Sequence, residues 1–284
     1  MRLADVLDSL AQELAGEGVP PARADARDLI AAVLGQPRFW PSAHPSVELD
    51  DLAMGAIRVA ADRLGRGMPF QYAVGRAAFR HLALRVDQRV LIPRPETELL
   101  VDLALALAAS GGVVADVGTG SGAIALSLAS EGPFKRVIAT DISEDALALA
   151  RANLDAIPPD RRPLLEFRAG DLLGPLRGER LCAIVSNPPY ISHAEASDLP
   201  AGVRDWEPHL ALFSDDDGMA ATHAILRDAP SVLEGGGVLV LEVDSGRAAI
   251  AREHAATDAR WRDVGLRTDL TGRERFLVAR RQEW

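Results

Sequence analysis

From residue 112 onward the chain alternates short apolar runs with helical segments, and few folds accept that pattern. The runs cover 113–117, 137–140, 164–167, 181–186 and 238–243, with helical segments over 121–130, 143–155 and 219–234 between most of them. Runs this short, apolar at nearly every position, suit strands buried on both faces. Helices between them suit parallel crossovers. The pattern therefore predicts an α/β fold, a doubly wound and mostly parallel sheet with helices on both sides. The end departs from it. Runs over 261–266 and 275–279, joined by Thr271-Gly272, predict a closing hairpin with an antiparallel strand.

Upstream the texture is helical. Leu3, Val6, Leu7, Leu10 and Leu14 form one apolar stripe. Pro20-Pro21 open a second helix carrying Ala26, Leu29, Ile30, Val33 and Leu34. A third helix starts near Asp50, with Leu52, Ile57, Ala60 and Leu64 inward. These segments predict a small helical bundle over residues 1–75. Phe79, Leu82, Leu84 and Val86 then alternate, Asp87-Gln88 offers a turn, and 90–92 is a second apolar run. The expectation is a β-hairpin linker over 76–95, ended by Pro93 and Pro95. A helix over 96–109 then opens a domain that spans 96–284.

Composition excludes several classes. Lys plus Arg number 31 against 41 Asp plus Glu, a net charge of -10, which argues against a general binder of nucleic-acid backbones. The single Cys182 allows no internal disulfide and fits a reducing compartment. Six histidines with no i, i+4 pair give no support to a metal site. Asp5, Asp8 and Glu13 interrupt any secretory signal, and the greasiest stretch, 99–109, contains Asp102 and falls short of the roughly 20 residues that span a bilayer. A cytoplasmic protein without membrane contact is expected.

Three strand ends carry candidate ligand chemistry. The first is Asp116-Val117-Gly118-Thr119-Gly120-Ser121-Gly122, a glycine loop between a strand and a helix. Glycines allow a sharp turn and close backbone approach, and the helix start offers free N–H groups. A dinucleotide fingerprint needs its third glycine where Ala123 stands, so NAD and FAD are disfavoured. A plain strand-to-helix turn is the bland alternative. The second is Asp141, whose carboxylate can accept ribose hydroxyls or can cap the following helix, a task Ser143 can also do. The third is Asp171-Leu172, placed to meet an adenine amine and ring face, or only a polar loop. In this order the pieces resemble the class I S-adenosylmethionine-dependent methyltransferases. The resemblance implies that Gly118, Thr119, Gly120, Ser121 and Gly122 hold the methionine end, Asp141 the ribose, and Asp171 with Leu172 the adenine.

The fourth strand ends in Asn187-Pro188-Pro189-Tyr190. Neither proline has an N–H, so the Asn187 side-chain oxygen and the Pro188 carbonyl can both act as acceptors. A planar NH2 group supplies the two matching donors. Its lone pair is delocalised, and two acceptors on its hydrogens favour the form that attacks a methyl group. Tyr190 can stack on the planar group. A proline-rich turn is the alternative. The candidate targets are a glutamine side chain or adenine N6.

Pro69-Phe70-Gln71-Tyr72, Gly75, Phe79, and Val90-Leu91-Ile92-Pro93-Arg94-Pro95-Glu96-Thr97-Glu98 resemble the peptide chain release factor N5-glutamine methyltransferases, the HemK or PrmC family. Trp206-Glu207-Pro208, Leu212 and Asp217-Gly218 extend the likeness over nearly the whole chain. The resemblance implies methylation of the Gly-Gly-Gln glutamine of class 1 release factors, held by the helical domain. It implies no direct contact with nucleic acid. Catalytic roles are expected for Asn187, Pro188 and Tyr190, substrate binding for these three and Pro189, and a cofactor contact for Asn187 as well. Two alternatives are a ribosomal-protein glutamine methyltransferase and an adenine-N6 enzyme; a third, non-catalytic reading makes the chain a binding protein on this scaffold. Glu242-Val243-Asp244 followed by Arg247 departs from the family's usual Glu-Ile-Gly and later Gln. Arg94 and Glu98 suit either substrate contact or a salt-bridged helix start.

Overall fold

The structure is a computed structural model and describes residues 1–16, 22–109, 111–157, 159 and 164–283. The chain divides into two compact units, Met1–Arg76 with Pro200–Trp206, and Ala77–Leu199 with Glu207–Trp284.

The first unit is helical. Its main helices are Leu3–Gly16, Ala22–Val33 and Asp51–Gly65, followed by a short one at Phe70–Val74. All five apolar residues of the first stripe are buried, and they pack with Ala26, Leu29, Ile30, Ile57, Ala60 and Ala61 in one core. Pro20 and Pro21 lie outside the described residues. Asp50 caps the third helix by accepting from the Ala53 N–H at 2.8 Å. The inward face of that helix is Ile57, Ala60 and Ala61, with Met54 and Leu64 at its margin. Leu52 was expected inward but is 84% exposed. Five residues from Ile57, it falls off the stripe that helical spacing makes. The segment Pro200–Trp206, far away in sequence, belongs to this unit, which no local pattern announces.

The second unit opens with a hairpin of β1 (Arg76–Phe79) and β2 (Leu82–Arg85). Its turn is Arg80-His81, not Asp87-Gln88, and residues 90–92 form no strand. Arg80 takes φ +52°. That uncommon conformation is held from elsewhere in the chain. The Glu98 carboxylate accepts from the Arg80 N–H at 2.9 Å, and the guanidinium donates to Glu131 and pairs with Asp102. The Asn153 amide spans the Arg85 backbone, taking its N–H at 2.8 Å and donating to its carbonyl at 3.0 Å. Phe79, Leu82 and Leu84 enter the core of the α/β unit.

That unit is built on a seven-stranded sheet. Its strands are β3 (Val113–Val117), β4 (Arg136–Asp141), β5 (Leu164–Ala169), β6 (Leu181–Ser186), β7 (Leu233–Glu242), β8 (Trp261–Thr268) and β9 (Glu274–Arg281), in spatial order β5-β4-β3-β6-β7-β9-β8. All neighbours from β5 to β7 are parallel, and β9 alone runs against them. Successive residues of a strand face opposite sides. Val114, Val137, Ala183, Val185 and Val238 fill the core on one face, and Ala115, Val117, Ile138, Ile184 and Leu239 fill the other. Both faces are covered, which explains the unbroken apolar runs. Helix Ala220–Asp228 ends earlier than expected because Pro230 stops it, and β7 begins at Leu233. The helix at Ala248–Ala256 has no periodic signature in the sequence, since its alanines give little contrast. The chain winds outward from β3 to β5 and returns at β6, so the crevice between the ends of β3 and β6 is the switch point of the sheet.

Candidate active site

A cavity of about 530 Å³ opens at the carboxyl ends of β3, β4, β5 and β6. Gly118, Thr119, Gly120, Ser121, Asp141, Asp171, Leu172, Asn187 and Pro189 line it. Four strand ends separated by tens of residues thus share one wall, because Val117 pairs with Ser186 and Thr140 on its two sides and Thr140 pairs in turn with Arg168.

The glycine loop is held almost entirely by its neighbours. The Gly118 and Thr119 N–H groups donate to the Thr140 carbonyl at 2.9 Å. Thr119 Oγ1 donates to the buried Asp116 at 2.6 Å, which also accepts from the Ala125 N–H at 3.0 Å. Burial pushes the Asp116 carboxyl up to about 7, and among the described residues its Oδ1 has no partner. Gly118 and Gly120 have φ of +73° and +53°, and a side chain on either would point into open space. Gly122 is different: it is buried against Leu126 and Ala150 and does not line the cavity. Its role is the turn into the Ala123–Glu131 helix.

Asp141 accepts from the Gly120 N–H at 2.8 Å and the Ser143 N–H at 2.9 Å. Burial raises its pKa, and these backbone bonds oppose the shift. The cap of the next helix is Ser143, whose hydroxyl accepts from the Ala146 N–H at 3.1 Å, so Asp141 is left to the cavity. The residues fit S-adenosylmethionine, the donor implied by the sequence. There is open space over two glycines, a carboxylate with spare lone pairs for a diol, and an exposed Asp171 with Leu172 for an amine and a ring.

The Asn187 wall is assembled from distant segments. Asn187 Nδ2 donates to Thr97 Oγ1 at 3.3 Å, and Thr97 Oγ1 donates to Glu242 Oε2 at 2.8 Å. Glu242 is 1% exposed, and burial pushes it up to about 7; Thr97, Arg275 and Arg94 oppose the shift and Glu96 adds to it. Ser186, buried before Asn187, donates to the Val117 carbonyl at 2.6 Å and ties the two strand ends together. Pro188 is buried and Tyr190 half-buried, and neither is among the residues that line the cavity. Burial pushes the Tyr190 phenol up to about 12, with Glu242 adding to the shift, so it stays neutral. Gly218 packs on the Tyr190 carbonyl so closely that a Cβ there would come within 2.4 Å of it.

Arg94 and Glu98 part company. Arg94 lines the cavity and donates to the buried Glu207 at 2.6 Å. Burial raises the Glu207 pKa against the pull of Arg94. Glu98 instead fastens the hairpin turn. Arg247, one of the departures, donates to Glu195 at 2.7 Å, to Asp244 at 3.1 Å and to the Asp217 carbonyl. Thr97, Glu207 and Glu242 all stand in segments quoted above without a role of their own. The signal that unites them is contact across the fold, which a single sequence does not display.

Residues 95–201 match the methyltransferase small domain family and residues 5–75 the PrmC N-terminal domain family. Two curated relatives carry the name release factor glutamine methyltransferase. The one from Moorella thermoacetica is 40% identical and covers 100% of both chains; the one from Cereibacter sphaeroides is 39% identical and covers 99% of each. Among solved structures, a methyltransferase from Pyrococcus furiosus is similar, with a TM-score of 0.53 and 17% identity over 72% of this chain and 90% of its own. That likeness is one of fold.

Proposed function

Because the chain belongs to the release factor glutamine methyltransferase family, we propose that it methylates N5 of the glutamine in the Gly-Gly-Gln loop of class 1 peptide chain release factors. S-adenosylmethionine is the methyl donor. The observation that carries the proposal is the shared cavity, which puts the glycine loop and Asn187 on one wall.

Bound there, S-adenosylmethionine supplies an electrophilic methyl on a sulfonium. Gly118, Thr119, Gly120 and Ser121 would cradle its amino-acid arm, with Gly122 setting the turn, while Asp141 would accept from the ribose and Asp171 with Leu172 would meet the adenine. Asn187 Oδ1 and the Pro188 carbonyl take the two amide hydrogens of the target. Holding those hydrogens out of plane aims the nitrogen lone pair at the methyl, and the cost of ordering is met before reaction. The sulfonium would supply the methyl for the new N–C bond, leaving a neutral thioether, and the nitrogen would give up one proton to solvent. Pro189 forms the wall beside the target, and Tyr190 holds the turn that presents the two acceptors. A glutamate brings no amide hydrogens, leaves both acceptors unpaired and is rejected.

The helical unit of residues 1–75 is assigned to holding the release factor. The substrate implies a cytoplasmic location, and no described helix is long and apolar enough to cross a membrane. Methyl incorporation from labelled S-adenosylmethionine tests the function. We expect label in an unmethylated release factor and none in ribosomal protein or duplex DNA. Label in DNA, falling steeply with salt, would support adenine chemistry instead.

A further inference from the structure

Asn187 can serve as an acceptor only if its oxygen, not its nitrogen, meets the substrate. An asparagine amide has two ends of nearly equal size and opposite hydrogen-bonding character. Something in the fold must choose between them.

The choice follows from one hydrogen. The Thr97 hydroxyl carries a single proton and donates it to Glu242 at 2.8 Å. Ionised Glu242 can only accept, so that proton is committed. The lone pairs left on Thr97 Oγ1 can take only a donor, and the group that reaches them at 3.3 Å is Asn187 Nδ2. Among the described residues no donor is in place on Asn187 Oδ1, which leaves that end for the cavity the residue lines. Thr97 and Glu242 are both buried, so water does not compete for this chain of bonds. The three residues come from the start of the Thr97–Leu107 helix, the end of β6 and the end of β7. They are 90 and 145 residues apart in sequence.

We infer that Thr97 and Glu242 are positioning residues that fix which end of the Asn187 amide faces the target, and thereby set the preference for a side-chain amide over a carboxylate. The inference rests on the glutamine reading above. With the amide reversed, Nδ2 would meet the hydrogens of a glutamine, donor against donor, and would instead suit a glutamate oxygen.

Thr97→Val keeps the shape and removes the hydroxyl, so the amide is free to turn. The test uses the full chain and two full-length release factors, one with its glutamine and one with glutamate in its place. The glutamate form is used as a competitive inhibitor, and its inhibition constant is compared with the KM of the glutamine form. The wild type should show a wide gap. Thr97→Val should lower kcat about tenfold and narrow the gap about tenfold, and Thr97→Ser should restore both. Glu242→Gln, which can accept from or donate to Thr97, should fall between. A merely structural role would lower activity and leave the gap unchanged, and that result overturns the inference. If Thr97→Val does not fold, an unchanged gap in Glu242→Gln overturns it equally. A wild type that does not methylate the glutamine form breaks the glutamine reading itself, a distinct outcome.

Discussion

The two halves of the cavity are built in opposite ways. The glycine-loop half is local: Asp116 holds Thr119 three residues on and Ala125 nine residues on, and Asp141 holds Gly120 across one strand and helix. It offers a ligand open space over Gly118 and Gly120 beside the Asp141 and Asp171 carboxylates. The Asn187 half is distributed: the bonded pairs Asn187–Thr97, Arg94–Glu207 and Thr97–Glu242 join segments 90 to 145 residues apart. Its contacts are side chains whose orientation other side chains must set. A cofactor common to many enzymes can be held by a short motif, whereas selection of one planar group requires the assembled fold.

Substitutions in each half act on different properties of the molecule. The largest expected effect is on stability. Asp116 sits near 7 in the folded chain against 3.8 unfolded, so between these values the folded chain holds a proton that the unfolded chain releases. Stability therefore falls as pH rises through that window. Asp116→Asn should remove the dependence, and the difference from wild type across the window should approach about 4 kcal/mol in denaturant titrations. Next, Asn187→Ala should lower kcat at least tenfold, the low end for a lost group aimed at the transition state. Calorimetry should show much less change in cofactor affinity. Gly120→Ala should do the reverse. Its φ of +53° makes any side chain costly by about 1–2 kcal/mol, so cofactor affinity should fall roughly tenfold while the KM for release factor holds. An equal change in both constants would show that the halves are not separable.

A smaller effect concerns Glu242, near 7 and faced by Thr97, Arg275, Arg94 and Glu96. Its ionised form takes the Thr97 proton, so kcat should rise with pH through about 7, by up to about tenfold. Glu242→Gln should flatten that limb of the profile. An unchanged limb would remove Glu242 from the positioning chain.

The same contrast explains what the sequence made legible. Strands β3 to β7, the glycine loop and Asp141 show themselves through periodicity and spacing, because their physics is local. Arg80-His81 contains no favoured turn residue, and Glu98, Glu131 and Asp102 hold it from afar, so Asp87-Gln88 looked the better turn. Leu52 is apolar yet exposed, since composition does not give the direction of a side chain. Pro200–Trp206 joins the helical unit through contacts that no pattern near it encodes. Thr97 carries no signal of its own in the sequence, because only the fold brings Asn187 and Glu242 to it.

On the proposed function, the distributed half of the cavity presents acceptors to a glutamine amide. Tandem mass spectrometry of an unmethylated release factor, incubated with the protein and S-adenosylmethionine, tests it most directly. One added methyl is expected on the side-chain nitrogen of the glutamine in the Gly-Gly-Gln peptide. An unmodified Gly-Gly-Gln peptide, or a methyl at any other residue, would contradict it.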